Sequence, residues 1–526
     1  MFKETVIMTR LIKIRENDNT AICAEAAAKG TILEYAPTEK QTTLLKTGLT
    51  AGLKALADIP QGHKVALCRL KKGDAVIRYG AAIGFLKSDI EAGAYITEDL
   101  LELPQMPSLE NMPWGSDIKT QLPVPARKTF AGFDIPGRPF AGIRNILGIM
   151  PTVHCASGVL NIAVEKMKAE LLPKFPNVDG IVALNHIYGC GVAINANDAD
   201  MWILSLKNMM RNPNFGGELM AVALGCEKLT PDMLLDDSEL TSENLVVLQE
   251  CRGFTSMIDS LLKMAEIKLE RLNNRKRTEL PLSKLCVGMQ CGGSDAFSGI
   301  SANVAAGYAS DLLVSGGATV MFSEVTEVRD GVHFLAARCT EKETVKKLCD
   351  QMRWFDNYLE AGGVDRDANP APGNKQGGLS NIVEKALGSI AKSGAAPIVE
   401  VLSSGEVPAK KGLVFAATPA SDIVCGPQQL ASGIVLQVFM TGRGTPYGLA
   451  AAPVIKISSR TVMKEMWDDL IDMNAGTIAD GKETIAEAGT RLFDMIIDTA
   501  SGIYKPWAER YRLYNDMAVF NPAPIT

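Results

Sequence analysis

Lys284-Leu-Cys-Val-Gly-Met-Gln-Cys-Gly-Gly-Ser-Asp-Ala-Phe-Ser-Gly299 is the stretch whose reading decides the fold. A short apolar run ends in Cys291, and two glycines follow. Ser294 and Asp295 then stand where a helix needs an N-cap, before small residues that continue through Ala302. The pattern predicts strand, tight turn, helix. In an open parallel sheet such a turn lies at the carboxyl edge, where ligands bind and the N–H groups of a helix N-terminus attract anions. A thiol there is placed for chemistry, although a buried cysteine on a structural turn has the same local sequence.

The pattern recurs. Val178-Asp-Gly-Ile-Val-Ala-Leu-Asn-His-Ile-Tyr-Gly-Cys-Gly191 breaks from an apolar run into His186, Tyr188 and Cys190. Leu219-Met-Ala-Val-Ala-Leu-Gly-Cys-Glu-Lys228 ends in Cys226 and Glu227, and Ala318-Thr-Val-Met-Phe-Ser-Glu-Val-Thr-Glu327 ends in Glu324 and Glu327. If these four runs are parallel strands of one sheet, Cys190, Cys226, Cys291 and Glu324 gather along a single edge.

A chain of 526 residues exceeds one ordinary core, so two or three domains are expected. The net charge of -6, with no long basic run, argues against nucleic acid or an anionic membrane as the partner. No stretch approaches a membrane span, and the N-terminus, with Lys3, Glu4 and Arg10, lacks a signal-peptide layout, so a cytoplasmic protein is expected. The 11 cysteines, an odd number scattered along the chain, do not suggest a disulfide framework and leave thiols free as ligands.

Residues 1–100 alternate short β-type runs with turn signals and predict a small all-β module. Residues 101–140 carry Pro104, Pro107, Pro113, Pro123, Pro125, Pro136 and Pro139 without periodicity, as a linker does. Alternating strand and helix patterns then predict a doubly wound α/β domain over residues 141–394 and a second over 395–526. Within the first, the polar loop from Gly362 to Leu379 suits a substrate lid or an exposed linker. Within the second, Thr441-Gly-Arg-Gly-Thr445 brings the Arg443 guanidinium, two threonines and several backbone N–H groups into one loop, a way to hold a carboxylate or phosphate. Of the four histidines, His186 has the address best suited to proton transfer, at a strand end beside Tyr188.

His186-Ile-Tyr-Gly-Cys-Gly191, Gly225-Cys-Glu-Lys228, Gln290-Cys-Gly-Gly-Ser-Asp-Ala-Phe-Ser-Gly299, Ser323-Glu-Val-Thr-Glu327 and Thr441-Gly-Arg-Gly-Thr-Pro-Tyr-Gly448 together resemble the altronate/galactarate dehydratase family, over nearly the whole chain. The resemblance implies an N-terminal β-clip domain of the SAF type before the α/β domains. It also implies iron-dependent removal of water from a sugar acid, galactarate foremost, to a 2-keto-3-deoxy product. Arg15 stands where the family's N-terminal module carries a histidine, in Arg15-Glu-Asn-Asp-Asn-Thr-Ala21, which leaves room for a paralogue with another hydroxy-acid substrate or for a sensor without turnover.

Such a dehydration removes a weakly acidic proton beside a carboxylate and expels hydroxide, so it needs a general base and a Lewis acid. His186, Glu324, Glu327 and Arg15 are the expected catalytic residues. Arg443, Thr441, Thr445, Ser294, Asp295 and Asn19 are the expected substrate-binding set. Cys190, Cys226 and Cys291 are the expected metal ligands, as soft donors to an iron–sulfur cluster; the alternative is packed thiols, with one ferrous ion on histidine and carboxylate ligands. The partner is then a small sugar acid, and the chain is expected to be a homodimer.

Overall fold

The computed structural model describes residues 8–34 and 52–525, so Lys3 and Glu4 lie outside the described residues. The N-terminal module has two small sheets. One runs in the order Ile32–Glu34, Met8–Ile12, Thr20–Cys23, Lys64–Ala66, Tyr95–Ile96, and the other joins Ala75–Arg78, Ala81–Leu86 and Leu101–Glu102. Thr20–Cys23 is buried along its whole length because it lies between two neighbours at the centre of its sheet.

This module is docked on the third unit of the chain through a buried ion cluster. Glu384 sits between the Lys64 ammonium (2.8 Å) and Arg78 Nε (3.1 Å), with all three side chains at most 1% exposed. Around it Val76, Ile83 and Leu101 pack against Ile382, Val383 and Leu387. The chain then runs without regular structure to Thr129–Gly132, which pairs antiparallel with Thr278–Pro281. The end of the expected linker is therefore a strand, tied down just ahead of the third unit.

The second unit is a four-stranded parallel sheet in the order Gly180–Ala183, Ile146–Pro151, Ala221–Ala223, Leu245–Val247. Helix Gly253–Asn273 covers it, burying Ile258, Leu261, Ala265, Leu269 and Leu272 along one helical face. The third unit is a seven-stranded parallel sheet in the order Ile398–Leu402, Leu413–Ala416, Thr319–Phe322, Cys286–Cys291, Leu436–Thr441, Val454–Ser458, Met473–Asn474. Its central strands are buried on both faces and read as continuous apolar runs.

Three expectations are corrected here. The boundary at 394/395 falls inside one sheet, because the strands after it pair with those at 286–322; the break lies before Cys286. The four Cys- and Glu-ended runs belong to two sheets, with Cys190 and Cys226 after strands of the second unit, Cys291 ending a strand of the third and Glu324 following another. The helix after Cys291 begins only at Ala302, so Ser294 and Asp295 are not its caps. Asp295 instead closes its own turn, accepting from Phe297 N and Ser298 Oγ at 3.1 Å each, and ties it to the rest of the unit by accepting from Ser459 Oγ at 2.8 Å and pairing with Arg460 at 2.9 Å.

Candidate active site

In an open parallel sheet the ligand crevice lies outside the carboxyl ends, where the strand order reverses. In the third unit the chain builds outward from Cys286–Cys291 on one side, then crosses to lay Leu436–Thr441 on the other, so the crevice falls between these two strands. The turns beyond them interlock, since Gly293 O accepts from both Gly442 N (3.1 Å) and Arg443 N (2.9 Å). Gly293 has φ +61, and a Cβ there would lie 3.1 Å from both Thr441 Oγ1 and Thr445 Oγ1. The two threonines thus shape the turn, and Thr441 also accepts from Gly444 N at 3.0 Å.

A cavity of about 590 Å³ opens at this point, lined by Gly292, Gly293, Glu327, Lys385, Asp422 and Arg443 together with residues 365–374. The polar loop expected as a lid or linker thus forms one wall. Arg366 of that loop is fixed on Asp330 at 2.8 Å, and Arg443 reaches Gln376 Oε1 at 3.4 Å.

The floor is a charged cluster with no exposure to speak of. Cys291 Sγ lies 3.9 Å from Glu324 and 3.6 Å from Glu327, and among the described residues these three form the one group whose donor atoms all come within 4.8 Å of one another. Lys392 Nζ bridges Cys291 Sγ (3.2 Å), Ser389 Oγ (2.7 Å) and Glu324, and Lys385 pairs with Glu327 at 2.7 Å. Glu324 sits at φ +79, a left-handed conformation that a non-glycine residue keeps only where its surroundings hold it. Its Oε1 is buried without a hydrogen-bond partner.

Burial pushes the Cys291 thiol up to about 12 and the Glu324 carboxyl up to about 8, in spite of Lys392. Glu327 goes the other way: burial opposes its charge, but Lys385 and Lys392 outweigh it and hold the carboxyl below its ordinary range. Asp422, the first residue of helix Asp422–Ala431, is pushed up to about 6 by burial and by the Glu327 charge, while Gln290 Nε2 bonds it at 3.4 Å. Two carboxyls with opposite shifts, two ammonium groups, a thiol and an unpartnered carboxylate oxygen are a donor set that suits one divalent cation, with acid and base groups beside it.

The remaining expected site residues do not line the cavity. His186 is buried in the second unit with both ring nitrogens engaged by backbone: Nδ1 accepts from Tyr188 N (3.2 Å), which leaves Nε2 to donate to Pro151 O (2.7 Å). It is a structural neutral imidazole that burial pushes down to about 4, not the base of this cavity. Arg15 is exposed on a turn of the β module whose backbone is held by Asp18, and it does not line the cavity. Asn19 joins the two sheets of that module, donating to Ala75 O (2.8 Å) and accepting from Ile77 N (2.7 Å). Ser294 and Asp295 are buried beside the turn without lining the cavity. Cys190 and Cys226 do not join the Cys291 group. Lys385, Lys392, Asp422 and Asn369 were missed; the signal available was three charged residues, Glu384, Lys385 and Lys392, in a run of otherwise apolar and small residues over Ile382–Lys392.

Matches to family models divide the chain as the structure does. Residues 9–104 match the altronate/galactarate dehydratase SAF domain, residues 137–273 the D-galactarate dehydratase/altronate hydrolase second domain, and residues 282–525 the D-galactarate/altronate dehydratase C-terminal domain. The chain belongs to the altronate/galactarate dehydratase family. Its sequence is 52% identical to galactarate dehydratase (L-threo-forming) of Escherichia coli over 98% of this chain and 97% of that one. It is 30% identical to altronate dehydratase of Bacillus subtilis over 94% of this chain and 96% of that one. A further relative, the (2R)-sulfolactate sulfo-lyase subunit beta of Chromohalobacter salexigens, is 29% identical over 71% of this chain and 93% of the other.

Proposed function

We propose that the chain is a hydro-lyase that removes water from a sugar diacid, galactarate foremost, and that Cys291, Glu324 and Glu327 hold a ferrous ion in the process. The observation that carries this reading is the buried thiol–carboxylate group opening into a cavity with a guanidinium at its rim. The iron would supply Lewis acidity toward the substrate's carboxylate and hydroxyl oxygens. The unpartnered Glu324 Oε1 is the observation that fits it.

The chain's own residues account for the rest. Arg443 pairs with the carboxylate at the far end of a hexarate, and the Gly292–Gly293 turn and Asn369 leave room for the hydroxyl chain between. Asp422, with its carboxyl near 6, is mostly ionised at neutral pH and lines the cavity, so it takes the proton from the carbon next to the near carboxylate. The electron pair of that C–H bond forms the C=C bond as the neighbouring C–OH bond breaks. The Lys385 ammonium, also facing the cavity, donates to the departing hydroxide, and water leaves. The resulting enol becomes the 2-keto-3-deoxy acid. The reading includes a cytoplasmic setting and a homodimer.

Protein purified without oxygen and loaded with ferrous iron is to be incubated with galactarate, other hexarates, altronate and (2R)-sulfolactate, and 2-keto product assayed with semicarbazide. Turnover of galactarate, reduced by about 10²- to 10⁴-fold in Asp422→Asn, is expected. The absence of 2-keto product from every hexarate and hexonate refutes the reading, and release of sulfite reassigns the leaving group.

A further inference from the structure

The second unit has its own switch point, and three cysteines stand at it. From Ile146–Pro151 the chain adds Gly180–Ala183 on one side, then crosses to add Ala221–Ala223 on the other. The crevice of such a sheet lies at the carboxyl ends of these three neighbouring strands. Cys155 follows the first, Cys190 the second and Cys226 the third, each within the loop that leaves its strand.

The three loops are tied to one another in a closed triangle. His154 N, next to Cys155, donates to Tyr188 O at 3.0 Å, two residues before Cys190. Gly189 O, next to Cys190, accepts from Leu229 N at 2.9 Å, in the loop of Cys226. Glu227, next to Cys226, is bonded by Thr152 Oγ1, three residues before Cys155, and also gathers Leu224 N (3.0 Å), Gly225 N (2.6 Å) and Cys226 N (2.8 Å). Gly189 has φ +117 and no room for a side chain, since a Cβ would lie 2.5 Å from Thr152 O. From the fourth strand end Gln249 Nε2 reaches Cys226 Sγ at 3.3 Å. The loops are held in one arrangement, yet Cys155 and Cys226 are exposed and Cys190 is only partly covered. Cys155 and Cys226 thus stand in the open at strand-end loops, while Cys190 packs one side against the core of the second unit.

We propose that Cys155, Cys190 and Cys226 are the three ligands of a four-iron, four-sulfide cluster, a centre separate from the Cys291–Glu324–Glu327 group. Thiolates are soft ligands that suit such a cluster. Size decides between it and a single zinc ion. Thiolates on one zinc stand about 3.8 Å apart, given zinc–sulfur bonds of about 2.3 Å in a tetrahedron. Among the described residues no other group of three donor atoms comes within 4.8 Å of one another. Thiolates on three corners of a four-iron cube stand roughly 6 Å apart; neighbouring strands lie about 4.8 Å apart and the outer two of the three about twice that, a spread nearer to the corners of a cube than to the ligands of one ion. Three ligands would leave one iron of such a cluster without a protein ligand. The Gln249 amide beside Cys226 serves as a hydrogen-bond donor to a ligand sulfur, one of the ways a protein adjusts a cluster.

The full chain is to be reconstituted without oxygen using iron, sulfide and dithiothreitol, then desalted and measured for iron, acid-labile sulfide and absorbance near 400 nm. About four sulfides per chain are expected, with a bleachable band on reduction. Cys155→Ser, Cys190→Ser and Cys226→Ser should each lose most of the sulfide and the band while keeping the far-ultraviolet circular dichroism of the parent. Cys68→Ser, at an exposed cysteine of the β module, should keep both signals. Cys291→Ser should also keep the sulfide, because a single iron on the other site carries none. Sulfide that persists when Cys155, Cys190 and Cys226 are all serine refutes the assignment, and so does a parent chain that takes up zinc, or iron without sulfide, at these residues.

Discussion

Replacing Glu384 by Gln tests whether the β module is fixed on the body of the protein by charge. Glu384 is fully buried, ion-paired with Lys64 Nζ (2.8 Å) and Arg78 Nε (3.1 Å), and accepts a hydrogen bond from Ser380 N (2.8 Å). Burial works against its charge, but Lys64 and then Arg78 outweigh that and hold the carboxyl below its ordinary range. The amide keeps the volume and one acceptor, yet leaves two cations buried without a counter-charge. Breaking a buried pair in this way costs about 3–5 kcal/mol, most of it the penalty on the stranded charges. The expected result is an unfolding free energy lowered by that amount, read as a lower urea midpoint at unchanged slope. The segment 103–128 should be cut faster by protease, and kcat/KM should fall, because Glu384 follows the cavity wall at residues 365–374 and shares its helix with Lys385. Adding Lys64→Met removes one stranded cation and should recover a good part of the loss. A loss below about 1 kcal/mol for Glu384→Gln refutes the argument, and the apolar contacts of Ile382, Val383 and Leu387 then carry the docking.

His186 titrates at about 4 in the folded chain against 6.5 in the unfolded one, so the stability it contributes is present above pH 6.5 and is lost as pH falls toward 4. The loss is about 3 kcal/mol, and His186→Asn should flatten the dependence of the urea midpoint over that window; a parallel curve counts against the buried neutral imidazole. Arg15→Ala should leave kcat and KM within about twofold of the parent, since the guanidinium stands off the cavity; a large rise in KM for galactarate returns Arg15 to the site. Arg443→Ala should raise KM about 10- to 100-fold with little change in kcat, as expected for a lost carboxylate clamp, and an equal loss in kcat instead makes it a transition-state contact.

The local patterns of the sequence carried far. The β module, the irregular proline segment up to Val124 and the strand-then-thiol turns are all where the runs of residues put them, because turn chemistry and apolar periodicity act over a few residues. Sheet membership is different. Ile398–Leu402 lies at the edge of the same sheet as Cys286–Cys291, although more than a hundred residues separate them and a polar loop intervenes. Nothing local distinguishes a crossover that returns to an existing sheet from one that starts another, so the boundary at 394 and the single shared edge were both wrong for one reason. The Cys190 and Cys226 turns were read correctly as strand ends and attached to the wrong neighbour.

The site was half legible for a related reason. Cys291, Glu324, Glu327 and Arg443 announce themselves because each interrupts an apolar run with a polar group at a turn. Lys385 and Lys392 sit on a helix and the turn that follows it, where a charged residue is ordinarily on the solvated face. Here the charged side is the buried one: Lys392 is fully enclosed, and what makes that tolerable is the pair of carboxylates brought from a different strand end. Neither the lysines nor the glutamates are stable in the interior alone, so the two segments specify each other only once folded. That mutual need also explains why a cation can be accommodated. Glu327 and Asp422, ionised at neutral pH, are matched by the two ammonium groups, and an entering divalent ion is neutralised by what the cluster holds in reserve, the Cys291 thiol and the Glu324 carboxyl, both of which burial keeps protonated. The crevice position follows from strand order, but the chemistry follows from this reserve of charge, which depends on which helix closes over the sheet.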